Sequence, residues 1–276
     1  MPEALTSEVP PTKWGKILLA TPVVMTVIAT LLAGLASSEM TSAQYDRALG
    51  AQLQSKAGDQ WGYFQAKKLR GAMQQNTLEL LTATTDVRPI ENPALDKIPV
   101  PAVLNVDSKV GAALQAIDRQ RPEVEIAALL KSVDDKSLAA ALQAAKDNAL
   151  AFDAAIAPAN QALDQLGKSL PAGDKAAARD LTAARMRYNA ARYDAEARLN
   201  QSIANLYELQ VRKANISAER HHSRSGKFFF GMLAAQAAVI VSTFAIAAQK
   251  RNFLWSLAAV AGLAAIVFAI YVYLRV

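Results

Sequence analysis

The chain of 276 residues is 52% hydrophobic and carries a formal net charge of +6. Lys and Arg alternate with Asp and Glu instead of forming a basic stripe, so this charge indicates an ordinary solvated surface and argues against nucleic-acid binding. The absence of cysteine excludes a disulfide framework, thiolate metal ligands and a cysteine nucleophile. The remaining information lies in how the apolar residues are distributed.

Three apolar runs without charged side chains indicate membrane-spanning helices. They are Ile17–Ala36 near the start and Phe228–Ala248 and Phe253–Leu274 at the end. Each is long enough to cross a hydrocarbon core of about 30 Å as a helix. The intervening sequence is rich in Ala, Gln, Lys and Arg, which favour helices. We therefore predict an all-α membrane protein with three transmembrane helices and a long extramembrane domain, built as an antiparallel helical hairpin or coiled coil.

The predicted elements follow in chain order. Residues 1–13, with three prolines, are a disordered tail, and 14–37 form the first transmembrane helix. This run is longer than a signal-peptide core, so we interpret it as a retained anchor. Residues 38–226 form the helical stalk domain. The remaining segments are a second transmembrane helix at 227–248, a short basic turn at 249–252 and a third transmembrane helix at 253–275.

Prolines and acidic residues divide the predicted stalk domain. The first helix is expected to continue to about Thr84, and residues 86–106, which contain four prolines, read as an extended crossing loop. Asp107 begins a shorter helix, and Pro122 is expected at the first position of the next piece. Asp134 and Asp135 mark another helix start that continues to about Ser169. Asp174 is the predicted N-cap of the last stalk helix, which has no proline before Phe228.

An apolar stripe at helical spacing runs along that last helix. Its members are Leu181, Ala184, Tyr188, Ala191, Ala195, Leu199, Ser202, Leu206, Leu209 and Ile216. Steps of three and four place them on one face. Packing against the stalk helix after the first span is the leading interpretation, and coiled-coil pairing between copies is the alternative. On that stalk helix Ala57, Trp61 and Phe64 share a face, whereas Tyr63 points elsewhere, so the aromatics are predicted anchors of a helix–helix contact.

Basic residues surround the ends of the predicted spans. The predicted membrane-interface residues are Arg220, His221, His222, Arg224, Lys227, Lys250 and Arg251. The two histidines are adjacent, so on a helix they diverge by about 100° and cannot chelate as an i, i+4 pair would. The positive-inside rule favours a cytoplasmic N-terminus and a periplasmic helical domain in a bacterial inner membrane. Lysines and arginines near the span ends on the opposite side of the membrane are almost as numerous, so the count of basic residues on the two sides is close.

No catalytic, metal or cofactor motif emerges from the sequence. It lacks a phosphate-binding loop, a dinucleotide fingerprint, a nucleophile elbow and zinc-ligand spacing. The spans contain no ionisable residue, which argues against an ion-coupled carrier. We therefore predict no catalytic residue, no metal, no cofactor and no enzymatic activity.

The segment from Gln54 to Lys67 carries the one family resemblance. It reads Gln-Ser-Lys-Ala-Gly-Asp-Gln-Trp-Gly-Tyr-Phe-Gln-Ala-Lys and is similar to the signature of an uncharacterised bacterial membrane family, domain of unknown function family 4337. Asp59, Gln60, Trp61, Tyr63, Gln65, Ala66 and Lys67 match that signature, and Gly58, Gly62 and Phe64 depart from it. The basic stretch at 220–224, the turn at 250–255 and the last span also resemble the family. The resemblance implies an architecture and no activity.

These observations lead to one functional expectation and one alternative. The first is a non-enzymatic membrane scaffold or accessory subunit that contacts lipids and self-associates or docks onto a larger membrane complex. The alternative is a sensor or regulator that relays changes of the helical domain along its stalk helices. The predicted interaction and packing residues are Asp59, Gln60, Trp61, Tyr63, Phe64, Gln65, Lys67, Leu199, Leu206 and Leu209.

Overall fold

The computed structural model describes residues 13–90, 92, 99–102, 104–247 and 251–275, which form six helices and no strand. The helices are α1 (Lys13–Thr84), α2 (Ser108–Asp118), α3 (Glu123–Leu130), α4 (Asp135–Ser169), α5 (Lys175–Ala247) and α6 (Arg251–Arg275). The all-α prediction is confirmed. The predicted tail up to residue 12 and the residue Lys250 lie outside the described part of the chain.

Three of the helices, α1, α5 and α6, are long and apolar enough to cross a membrane. The predicted apolar runs lie within them, apart from Ala248, which is not among the described residues. Helix α1 has 72 residues and α5 has 73, so each continues from an apolar run into a polar stretch without a break. Pro22 lies inside α1 and Pro158 inside α4 without ending either helix.

Acidic residues begin three of the helices, as the sequence predicts. Asp107 accepts from the backbone N–H of Lys109, Asp134 from that of Ser137 and Asp174 from that of Ala177. These bonds satisfy N–H groups that have no partner inside the helix. At Asp134 the bonds from the Ser137 backbone N–H and hydroxyl also lower the pKa of the carboxyl, because they favour its charged form.

Two boundary predictions need correction. Pro122 is the N-cap residue of α3 with extended backbone, so the first helical position is Glu123. Arg251 and Asn252, predicted as part of the basic turn at 249–252, belong to α6, and residues 249 and 250 lie outside the described part of the chain. The described residues between Asp86 and Val106 are not helical, in agreement with the predicted loop.

The chain divides into two compact units. The span unit comprises Met1–Ala48 and Ala214–Val276, and the stalk unit comprises Leu49–Lys213. The predicted stalk domain was longer, at 38–226. The difference arises because polar side chains just beyond the apolar runs of α1 and α5 contact one another and so belong with the span unit.

In the stalk unit, α5 packs against several helices. Phe152 and Ile156 of α4 cluster with Ala195 and Leu199 of α5, and a second cluster joins Leu163 to Leu181 and Tyr188. The hydroxyl of Tyr188 lies 3.0 Å from Asn160 Oδ1, and burial raises the pKa of this tyrosine. These contacts bury one face of α4 along most of its length.

In the span unit, small side chains let three helices approach closely. Ala29, Ala235 and Ala265 form one cluster, and Leu32, Ala36, Phe228 and Val272 form another. At Gly262 of α6 an added Cβ would overlap the thioether of Met25, so the end of this methionine side chain occupies the space that glycine leaves open. Interfaces of this type are typical of helices that associate in lipid.

Candidate functional site

The family-like segment lies in the middle of α1, inside the stalk unit. Ala57 is buried and Trp61 and Phe64 are half-buried, and the Trp61 and Phe64 rings meet edge to face with centroids 5.4 Å apart. The indole Nε1 of Trp61 donates a hydrogen bond of 2.7 Å to Glu208 Oε1 on α5. Tyr63 is 57% exposed on another side. The aromatic pair therefore contributes to the α1–α5 contact, with an amphipathic indole satisfied at its polar end.

A layer of ions continues this contact after Trp61. Lys67 forms an ion pair with Glu196, and its Nζ lies 5.2 Å from the ring centroid of Tyr193. One helical position further, Lys68 Nζ lies 2.6 Å from Asp194 Oδ1. The hydrogen bond from Lys68, assisted by the charge of Arg198, lowers the pKa of the Asp194 carboxyl.

The other polar residues of the segment have different surroundings. Asp59 and Gln65 are exposed. Gln60 is half-buried, and its Oε1 is enclosed without a hydrogen-bond partner among the described residues. Gln60 and Lys67 are both half-buried on the side that carries Trp61, as their spacing of seven residues predicts.

Leu199, Leu206 and Leu209 are buried within the stalk unit. Two members of the predicted stripe, Ala191 and Ser202, are exposed instead. The prediction of one buried stripe is also incomplete for residues 203–211, because α5 is buried there on several sides. There Asn205 Nδ2 donates a hydrogen bond of 2.6 Å to Asp118 Oδ1 of α2, and Arg212 Nε donates one of 3.0 Å to Glu123 Oε1 of α3.

The predicted membrane-interface residues separate into two groups. His221 Nδ1 lies 2.5 Å from Glu39 of α1 and its Nε2 lies 3.9 Å from Asp46, while Arg224 lies 3.8 Å from Glu39. These two basic residues thus join α1 and α5 inside the span unit. Arg220 and His222 are exposed and Lys227 is half-buried. The side chain of Arg251, like all of Lys250, lies outside the described residues.

An apolar face of α1 that was not predicted from the sequence is exposed in the structure and is here called the outer seam. Leu69, Met73 and Leu80 are 64%, 58% and 66% exposed. The outer seam consists of Gly62, Ala66, Leu69, Met73, Asn76 and Leu80, all of which are exposed. The signal that could have revealed it is the alternation of four- and three-residue steps. In the sequence this pattern is obscured by the small residues at its start.

One open groove in the stalk unit involves the family-like segment. It has a volume of about 460 Å³ and includes Lys67, Lys68, Arg187 and Asp194 in its lining. Its two lysines already form ion pairs with carboxylates. Within the described part of the chain, no three His, Asp or Glu residues are placed to hold a metal ion together.

The fold and its contacts define an all-helical protein with three helices able to span a membrane. The sequence model of Domain of unknown function (DUF4337) matches residues 18–164, more than half of the chain. The protein belongs to this family. The match contains the Gln54–Lys67 segment, whereas the family-like features predicted at residues 220–224 and 250–255 lie beyond it. No curated protein matches the chain, and no solved structure matches it.

Proposed function

We propose that this protein is a non-enzymatic helical membrane scaffold or accessory subunit. In this proposal it self-associates or docks onto a larger membrane complex through its stalk domain and its alanine-rich spans. The observation that carries the proposal is the pair of uninterrupted helices α1 and α5, of 72 and 73 residues, each of which joins an apolar run to a long polar stretch. Long helices that present open faces are suited to binding other helices.

The proposed stalk is an antiparallel helical hairpin of α1 and α5. Contacts inside the stalk unit support this arrangement, because positions that rise along α1 meet positions that fall along α5. Trp61 contacts Glu208, Lys67 contacts Glu196, and Lys68 contacts Asp194. At Gly71, an added Cβ would be in ordinary van der Waals contact with the backbone oxygen of Ala190.

The proposed spans associate with other helices through one polar side chain in particular. Gln236 is exposed near the middle of the apolar run of α5 and has no hydrogen-bond partner among the described residues. Ser242 and Thr243 differ, since both hydroxyls donate to the backbone carbonyl of Val239. Lipid tails offer no hydrogen-bonding group, so an amide at this depth is satisfied by another polypeptide.

The proposed location is a bacterial inner membrane, with the helical domain in the periplasm and the N-terminus in the cytoplasm. The chain has no cysteine, so single cysteines report accessibility without background. In intact cells a membrane-impermeant maleimide should label Val100→Cys, whose side chain is 88% exposed, and spare Ser7→Cys until the cells are lysed. The reverse labelling pattern would place the domain in the cytoplasm.

The experiment that tests the function is the native mass of gently solubilised protein, with every co-purifying polypeptide identified. A mass of two or more times 29.5 kDa supports a self-associating scaffold, and a stoichiometric foreign polypeptide supports an accessory subunit. Monomer alone, at concentrations comparable with those in the membrane, contradicts both. Charged substitutions at Trp61 or Leu206 are unsuitable for this test, because these side chains pack inside the stalk unit.

A matched pair of variants sharpens the experiment for the spans. Gln236→Leu should weaken association about 3-fold or more, since one interhelical hydrogen bond in a membrane protein contributes about 0.6 kcal/mol on average. Thr243→Val removes a hydroxyl from the same helix that already bonds to its own backbone, so association should be unchanged. Equal behaviour of the two variants would remove Gln236 from the interface.

The uninterrupted course of α1 and α5 also favours the alternative of a sensor or regulator, because a continuous helix transmits a displacement along its axis. Such a protein needs an output partner, since the predicted cytoplasmic segments are short. The same purification decides between the two: a partner whose binding changes with conditions supports the sensor, and a partner bound constantly supports the scaffold.

A further inference from the structure

We propose that the outer seam of α1 is a parallel, in-register interface with the outer seam of a second copy of this chain. This inference rests on the proposed scaffold function and names the surface through which the stalk would self-associate. It is carried by the spacing, the exposure and the single amide of the outer seam.

The spacing of the outer seam is that of a two-helix contact. Its members at 62, 66, 69, 73, 76 and 80 are separated by alternating steps of four and three residues. This alternation averages about 3.5 residues, the repeat that keeps one stripe facing a partner helix. The six positions cover almost three heptads of α1.

Contacts within the chain use a different face of the same helix. Ala57, Phe64, Gly71 and Leu78 recur every seven residues and are buried or half-buried, and Gly71 faces Ala190 and Tyr193 of α5. In heptad terms these positions lie opposite the outer seam. Helix α1 therefore has two apolar faces, of which the described stalk unit covers one.

Asn76 indicates that the occupant is a second copy of α1. Its side chain is exposed between Met73 and Leu80 of the outer seam and has no partner among the described residues. A carboxamide both donates and accepts hydrogen bonds, so an identical carboxamide complements it. Asn76 lies at a d position of this heptad, three residues after Met73, and one buried amide in a seam favours the register that pairs it with its counterpart, because a shifted register leaves both amides unsatisfied. An apolar ligand or lipid would leave this amide unsatisfied.

The parallel orientation follows from insertion in one membrane. Two copies with the same topology have α1 leaving the membrane in the same direction, so Leu69, Asn76 and Leu80 each meet their own counterparts. The flanking side chains are compatible with this register: Gln65 would lie near Arg70 of the other copy, and Glu79 near its Thr84. No pair of like charges is brought together.

Cysteine cross-linking of the full-length protein in native membranes tests the register. Asn76→Cys should form a disulfide dimer under mild oxidation, because the in-register positions face each other. Gln75→Cys, an exposed neighbour on the same helix, points away from the outer seam and should cross-link at least about 10-fold more slowly. Equal rates for the two variants would overturn the proposal. Cross-linking only between Asn76→Cys and Met73→Cys would overturn the parallel orientation.

Charge insertion tests whether the outer seam stabilises the assembly. Leu69→Glu/Leu80→Glu should lower the association constant at least about 100-fold, since each buried leucine contributes about a factor of 10 or more. The control Gln75→Glu/Thr82→Glu adds the same charge at exposed positions of the same helix and should leave association unchanged. Both variants should keep the wild-type helical content, because the four side chains are exposed.

The outcomes separate this inference from the proposed function. If the wild type is a monomer without partners, the scaffold function and the outer seam fail together. If the wild type assembles and Leu69→Glu/Leu80→Glu assembles equally well, only the outer seam fails and the assembly must use another surface. A loss of assembly in the control double variant as well would reduce the effect to one of net charge and overturn the proposal.

Discussion

Trp61 illustrates how one residue of the family-like segment combines two kinds of interaction. Its ring packs edge to face on Phe64, and its Nε1 donates to Glu208, which also accepts from Arg212 at 2.8 Å. The aromatic packing is predictable from the shared face of positions 57, 61 and 64. The carboxylate partner is not, because it lies 147 residues away in the sequence.

Replacing Trp61 with phenylalanine separates these interactions. Trp61→Phe keeps an aromatic ring and removes the N–H donor, so the free energy of unfolding should fall by about 1 to 2 kcal/mol. Tyr63→Phe is the control, since the hydroxyl of Tyr63 is exposed and has no partner among the described residues; it should change stability by less than about 0.5 kcal/mol. Urea titration of both variants measures the difference. A Trp61→Phe variant as stable as the wild type would show that the bond to Glu208 contributes nothing.

The ion pair of Lys68 and Asp194 predicts a pH dependence. The pKa of Asp194 is lowered in the folded state, so its contribution is complete above the unfolded pKa of about 3.9 and is lost as the pH falls through the folded pKa. The stability difference between wild type and Asp194→Asn should therefore be constant from pH 7 to about 5 and shrink below about pH 4.

Unfolding midpoints at several pH values measure this difference. The exposed Asp153, which has no partner among the described residues, supplies the control variant Asp153→Asn. Salt should reduce the Asp194 effect, because both side chains of the pair are partly exposed. A difference that persists unchanged at pH 2 would contradict the ion-pair origin.

At the scale of the helices, the space around a glycine shows whether another helix packs closely against that position. A Cβ added at Gly58 of α1 would meet nothing within 4 Å, whereas one at Gly262 of α6 would overlap Met25. Gly58→Ala should raise stability by about 0.5 to 1 kcal/mol, because alanine costs less backbone entropy in a helix. Gly262→Ala should gain less, since the thioether end of Met25 must move to admit the added methyl group. Thermal unfolding in detergent compares the two, and an equal gain in both would contradict the tight α1–α6 contact.

The ends of the helices were largely predictable because local chemistry sets them. Aspartate side chains at 107, 134 and 174 bond the first free N–H groups of the following helix, and these bonds involve residues within three positions. Pro122 was misplaced by one position: proline is favoured at the first helical position, but here its backbone is extended and it is the N-cap residue. The packing of the helices was less predictable: Ala191 and Ser202 belong to the apolar stripe in sequence and are exposed in the structure.

At the scale of the whole molecule, the sequence of the stalk unit suits water and that of the span unit suits an apolar solvent. The stalk unit consists of polar helices around Leu206 and its neighbours, and the span unit consists of apolar runs with exposed valines, leucines and phenylalanines. In a detergent micelle the apolar helices keep their backbone hydrogen bonds even when the stalk unfolds. The protein should therefore not unfold in a single two-state transition.

Urea unfolding in detergent tests this expectation. In a Trp14→Phe/Trp255→Phe variant, fluorescence reports Trp61 in the stalk unit alone. Its transition should be complete while circular dichroism still shows substantial helix from the span unit. Coincident fluorescence and dichroism transitions that end in complete loss of helix would contradict independent behaviour of the two units.

The sequence by itself determined the all-helical class, the three apolar runs, the acidic helix starts and the family, because composition, period and capping act over a few residues. Only the tertiary structure decided which faces are used. It placed His221 and Arg224 beside Glu39 rather than leaving both on an open face, surrounded α5 on several sides near Leu206, and left Leu69, Met73 and Leu80 exposed. The physical reason is that a helical period identifies an apolar face but does not identify the helix that covers it, since those contacts join residues far apart in the sequence.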